Sequence, residues 1–525
     1  MDFYCGRRMS EMEARIRGSL LSASGCASLY QMRQEPACDR HQNGSIAVVT
    51  AVVIVGLIGV CALALDLSLI YNRKVELRNV ADAAALGAAK RLNGTAGGIN
   101  AAVAAAASAV AGLKYQYDST TFSWSDSAIK FSTSPDRQGN WVDAGTAAGT
   151  PARIYYVKVD TNQLPDAGEV RTLLMGVVSS AFATVNVIGE AIAGRTTIDV
   201  APLAICAMST TPASSRTNAA TYVELVEYGF RRGVSYDLMN LSPGGTTPVA
   251  PANFIVNPLA HPGTEGLAAD VQPTQVGPYV CTGTLGIARI TGDTIAVARS
   301  FPLAALYKQL NSRFDQYEDD LCNFHAAPPD VNIKSYVSSS IGWMNIPPET
   351  GRQTAACNGG AAGALCDSTA TKLQTIADAP PAGGTAAKYG PVWAYAKAVP
   401  FSAYSSGVPE PSPNGYTTFT TAYWSNLYGG QTAKASYPAG SSTPYKAGSG
   451  VNFAPPSTVH KPGAKGRRVL NVPLLNCSAM PANSATVLAI GRFFMTVPAT
   501  AASVAAEFAG AVPVNSVGGK VELFP

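Results

Sequence analysis

A membrane-anchored α+β protein is the fold class that three features of the sequence predict. These are one long uncharged apolar run near the N-terminus, an alanine-rich helical continuation of it, and a remainder in which short strand-like runs outnumber helical ones. The apolar run, Gly44 to Leu65, reads GSIAVVTAVVIVGLIGVCALAL without a charge. At about 1.5 Å per residue it is long enough to cross a hydrocarbon core of ~30 Å. A cleaved secretory signal is the competing reading, because Ala62-Leu63-Ala64 has the small-x-small form of a cleavage site. Two things favour an anchor: the run is longer than the apolar part of a signal, and the helical pattern passes Asp66 without a break.

Five stretches follow from this pattern. Residues 1–43 have mixed charges and no apolar period and are expected to be flexible, with Met9 and Met32 as alternative starts. Residues 44–70 form the membrane helix. Residues 71–114 form a projecting alanine-rich helical segment. The first part of it, through Arg91, lacks proline and continues the membrane helix, and a second helix over Asn100–Leu113 follows the breaks at Asn93-Gly94 and Gly97-Gly98. Residues 115–200 read as an α+β unit, with strand-like runs at Thr121–Trp124 and Ala152–Val159, helical spacing over Val170–Phe182 and a strand over Ala183–Ile188. Residues 201–525 read as a β-rich domain with one helix over Leu303–Leu321. A Gly-, Ser-, Thr- and Tyr-rich insertion at about 359–463 has exposed-looking tyrosines, among them Tyr416, Tyr423, Tyr428 and Tyr445. With 525 residues, two folded units beyond the anchor are expected, since single cores stop growing near ~250–300 residues.

Charged residues make up 14% of the chain, against ~25% in an average soluble domain, which fits an envelope-exposed protein. A net charge of +4 over this length concentrates no basic field, so nucleic acid is not expected as a partner. Of the 10 cysteines, Cys206, Cys281, Cys322, Cys357, Cys366 and Cys477 follow the anchor. This even set suits disulfides in an oxidising compartment, and a local loop closed by Cys357 and Cys366 is the expected pair, with unpaired buried thiols as the alternative. Orientation draws two opposed arguments. Arg73, Lys74, Arg78, Lys90 and Arg91 on the C-terminal flank outnumber Arg33 and Arg40 on the other, which taken alone would hold the large region in the cytoplasm, whereas the cysteines favour the outside.

No catalytic or metal constellation emerges. There is no G-x-S-x-G elbow, no Walker A loop, no H-E-x-x-H helix and no C-x-x-C pair, and His261, His325 and His460 stand far apart in sequence. The expectation is a protein that is not an enzyme and takes neither cofactor nor metal. Glu318-Asp319-Asp320 beside Cys322 reads as a solvated helix end. Asp66, an ionisable residue at the membrane boundary, either exits to water or makes an inter-subunit contact. Small residues at Ala47, Ala51 and Gly59, and again at Ala81, Ala85 and Ala89, form stripes that would let helices associate.

The stretch from Gly44 to Leu92 resembles the N-terminal segment of Tad (tight adherence), or Flp pilus-assembly, proteins of the TadE/TadG-like group. The residues that carry the resemblance are Gly44 before the apolar run, Asp66 and Tyr71 at its exit, and Leu77-Arg78-Asn79-Val80-Ala81-Asp82-Ala83-Ala84-Ala85-Leu86. In that group the last block usually reads like LQNAADAAALA, from which Arg78 and Val80 depart. VAPLAICAM near Cys206, YGFRRGVSYDLMNLSP from Tyr228 and VLAIGRFFMT from Val487 are similar to the C-terminal region of Tad-like proteins. The resemblance implies a single-pass protein of the bacterial inner membrane with its bulk in the periplasm. It would be a structural or assembly component that works with other pilus-machine proteins, pilin or TadE-like proteins among them. Gly44, Asp66, Tyr71, Asn79 and Asp82 then become candidate membrane-boundary and assembly contacts, and the unit at 115–200 is expected to be pilin-like by analogy. No D-x-S-x-S run is present, so a von Willebrand A domain is not expected. Val49 stands where prepilin-type processing needs glutamate. From another class, an envelope-exposed adhesive or ligand-binding protein would use the tyrosine-rich insertion as its contact surface.

Overall fold

The computed structural model describes residues 43–115, 120–165, 168–172, 174–217, 223–233, 235–243, 251–318, 321–336, 353–354, 392, 399–404, 443–512 and 517–525. The expected flexible segment therefore lies outside the described residues, as do Cys357, Cys366, Tyr416, Tyr423 and Tyr428. The architecture is α+β, as the sequence predicts. A helix runs without interruption over Asn43–Ala89, and a second, Ala96–Ala111, follows a turn through Gly94 at φ +81°. The Thr95 hydroxyl caps the second helix by accepting from the Gly98 amide at 3.1 Å. Among the described residues, the first helix is the one long and apolar enough to cross a membrane. The chain divides into two compact units, residues 1–64 and Leu65–Pro525.

Within Leu65–Pro525 the first core lies between the helices and a four-stranded antiparallel sheet. Its order is Val521–Phe524, Glu190–Arg195, Tyr156–Asp160, Ile129–Ser132. Leu77, Val80, Ala81, Ala84, Ala85 and Ala88 recur at intervals of three and four and are all buried, making one stripe of the long helix. Alanine serves here because it admits close approach: a Cβ on Gly87 would stand 3.5 Å from the Ala105 carbonyl of the second helix. Ala102, Ala106, Val110, Phe131, Val157, Val159 and Ala193 complete the core. Ala81, Ala85 and Ala89 are thus spent inside the chain's own fold, which corrects their expected role in association between subunits. The bland alanine stripe is an intramolecular packing surface.

The second core is built on an eight-stranded sheet. Its order is Ser235–Asp237, Ala505–Val512, Val487–Met495, Val469–Leu475, Leu203–Cys206, Asn253–Val256, Ile295–Arg299, Ser484–Ala485. Thr486 alone separates Ser484–Ala485 from Val487–Met495, so the edge of this sheet leads straight back into its interior and the strands between close on themselves. Phe230, Tyr236, Phe493 and Phe508 pack there in two edge-on and two tilted contacts 5.1–5.6 Å apart. The three C-terminal blocks of the Tad resemblance fall on this core. They supply Leu203–Cys206, Val487–Met495 and Arg232, which forms a buried ion pair at 2.7 Å with Glu227, the residue just before its block.

Several local expectations shift. Val170–Phe182 is no continuous helix but most of a hairpin, with strands Glu169–Arg171 and Thr184–Asn186 around a helical turn, Met175–Val178. The helix expected over Leu303–Leu321 ends at Asn311 and gives way to a 3-10 turn, Ser312–Phe314, closed by Asp315 at φ 65°. Thr121–Trp124 contributes only the two-residue strand Thr120–Thr121, and Ala152–Val159 opens on a 3-10 turn before its strand. The composition change near residue 200 separates the two sheets but not the chain, because Val521–Phe524 returns to the first one. Arg289, from the second half, donates Nη1 to the carbonyls of Pro151 and Ile154, at 3.2 and 2.8 Å, and lies 4.2 Å over the Tyr155 ring.

Candidate membrane-boundary site

Asp66 is the first charged residue after the uncharged run, and its side chain is 0% exposed. A buried carboxylate needs donors. It finds them in the hairpin Glu169–Asn186: Asp66 Oδ2 accepts the backbone amides of Leu174 at 3.0 Å and Met175 at 2.6 Å. Those amides open the turn Met175–Val178, for which Leu174 offers no side-chain cap. The carboxylate therefore caps, from another element, a helical turn whose first amides would otherwise lack acceptors. Asp66 is thus buried and bonded within its own chain rather than simply exiting to water.

The other candidate residues are not gathered around Asp66. Gly44 lies in the first turn of the long helix. Tyr71 is 66% exposed one turn beyond Asp66. Asn79 is exposed and Asp82 half-buried, ~20 and ~24 Å further along the helix. Burial holds the Asp82 carboxyl above its usual range, against the opposing pull of Arg78. Arg73, one of the flanking charges, is itself buried, pairs with Glu76 at 3.3 Å and stands 5.6 Å over the Phe122 ring.

The cysteines pair over long distances. Cys206 joins Cys477 and Cys281 joins Cys322, each with a Cα separation of 5.6 Å. The first bond staples two neighbouring parallel strand ends, Leu203–Cys206 and Val469–Leu475. Cys61 carries a free thiol. The local Cys357–Cys366 pair falls outside the described residues.

Elsewhere, chemistry-bearing groups serve structure. His460 Nδ1 meets both Asp315 Oδ1 at 2.5 Å and Ser457 Oγ at 3.1 Å. Both contacts fall on one ring nitrogen, whereas a nucleophilic triad uses the two in opposite directions. Tyr445, read from sequence as exposed, is 7% exposed and donates to Asp330 at 2.9 Å. Asp330 also accepts from the amides of Asn332 and Arg468, and burial raises its pKa above the usual carboxylate value. The Arg468 guanidinium donates to four carbonyls at 2.9 Å and lies 4.5 Å over Phe314. Among the described residues no group of His, Cys, Asp and Glu side chains is placed to hold a metal.

Residues 44–91 match the Tad family model, described as Flp pilus-assembly TadE/G-like. No curated protein and no solved structure matches the chain. The matched segment is almost coextensive with the long helix and contains Asp66, Tyr71, Asn79 and Asp82. What sequence reasoning missed is its partner, the hairpin at 169–186. The signal was present: from Thr172 to Gly189 the chain carries no charge.

Proposed function

We propose that this chain is a non-enzymatic structural or assembly component of a bacterial Tad/Flp pilus system, held by one helix in the inner membrane with Leu65–Pro525 in the periplasm. The observation that carries the reading is the Tad segment at 44–91, which serves as both apolar anchor and core helix of an α+β fold. Two disulfides favour an oxidising compartment over the cytoplasm. The action is positional: the anchor fixes the protein in the bilayer, and the β-rich half offers surfaces to other pilus-machine proteins, pilin or TadE-like proteins among them. Deleting the gene is expected to abolish surface pili while pilin synthesis continues; unchanged piliation would overturn the proposal. Alkaline-phosphatase fusions after Leu92 and Cys206 test the orientation, and inactive fusions would place the large region in the cytoplasm.

A further inference from the structure

The hairpin Glu169–Asn186 has the properties of a second membrane contact. Its connecting segment belongs to the uncharged stretch Thr172–Gly189, and Leu174 and Phe182 are 36% and 52% exposed. An apolar tip of this kind, left in water, calls for a cover. The cover is indicated by position, since the tip is bonded to Asp66, and Asp66 directly follows the last residue of the uncharged run Gly44–Leu65. On the same helix Leu67 and Tyr71 are 61% and 66% exposed, adding an apolar and an amphipathic side chain at the level where aromatic residues favour the headgroup zone.

A second, independent observation concerns the backbone. Entry into an interface of low polarity requires that peptide groups find partners inside the protein. In the tip they do. Asp66 takes the amides of Leu174 and Met175, and the Thr172 hydroxyl takes that of Gly176 at 3.1 Å. The amides of Ser179, Phe182 and Ala183 bond the carbonyls of Met175, Ser179 and Ser180, and Thr172 Oγ1 donates to the Phe182 carbonyl at 2.6 Å. We infer that the hairpin Glu169–Asn186 inserts Leu174 and Phe182 into the lipid interface, so that the fold is held to the bilayer at two points rather than hung from one helix.

The test uses the full chain in vesicles of phosphatidylcholine and phosphatidylglycerol. An environment-sensitive fluorescent amino acid is placed at Phe182, at Leu174 and, as an exposed control, at Leu267, which is 71% exposed in the β-rich half. At 182 and 174 we expect blue-shifted emission that is lost with nitroxide-labelled acyl chains and spared by aqueous iodide, with the reverse at 267. Iodide quenching at 182 overturns the inference. So does a blue shift insensitive to both quenchers, which would mean a protein cover. On the unaltered chain, a photoactivatable lipid should leave adducts within 172–183 as well as 44–65; adducts confined to 44–65 would refute the second contact even if the labelled chains misfold.

Discussion

Asp66 shows how a single residue acquires a role that its neighbours in sequence do not reveal. It could be read as a boundary charge, but its partners lie 108 and 109 residues away, beyond the reach of local pattern. Asp66→Ala leaves two amides without their acceptor, at a cost of about 1–3 kcal/mol. Amide exchange at Leu174 and Met175 should accelerate, and on the proposed function surface pili should be lost; unchanged exchange would show that the carboxylate is not the cap. Asp330 makes a different prediction. Its folded pKa is raised by burial, so the folded chain binds that proton more tightly than the unfolded chain. This contribution to stability is full below the unfolded pKa of about 4 and is lost as pH rises through the raised folded value. Asp330→Asn should remove that slope, read as the denaturation midpoint against pH, and curves that stay parallel would reject it.

At the scale of elements, the long helix was legible because its evidence is local: an uncharged run, then alanines at helical spacing without proline. The function of those alanines was not, because a small-residue stripe fits a neighbouring subunit as well as the chain's own sheet. The hairpin at 169–186 was misread for a related reason. Short apolar runs satisfy helical spacing and strand alternation alike, and only pairing between Glu169–Arg171 and Thr184–Asn186 decides between them. Close approach gives the element-scale prediction. A Cβ on Gly189 would stand 2.6 Å from the Leu77 carbonyl carbon, whereas one on Gly149 meets nothing within 4 Å. Gly189→Ala should therefore destabilise the fold by ~1–3 kcal/mol, since backbone cannot swing aside as a side chain does, and Gly149→Ala should not. Thermal unfolding of the two variants side by side measures the difference; equal midpoints would deny the contact.

At the scale of the molecule, the sequence disclosed the α+β class and the β-rich second half, but not which cysteines or strands meet. The bonds Cys281–Cys322 and Cys206–Cys477 span 41 and 271 residues, and spacing cannot choose among such pairings. Replacing Cys206 and Cys477 together by serine should cost roughly 2–5 kcal/mol, because the bond restrains a long loop of the unfolded chain. Urea denaturation checks this, and an unshifted midpoint would mean that the strands hold without their staple.

The pairing of Val521–Phe524 with Glu190–Arg195 carries a consequence for biogenesis. Arg195 also bonds the Val517 carbonyl, 322 residues away. On the proposed orientation, a nascent chain that has exported everything through residue 500 still presents Glu190–Arg195 as an open strand edge, the kind of edge that recruits foreign strands. On that orientation, this four-stranded sheet is therefore finished late in translocation. Ribosome stalling or truncation would leave a sticky intermediate tethered to the membrane, a natural substrate for an envelope chaperone or protease.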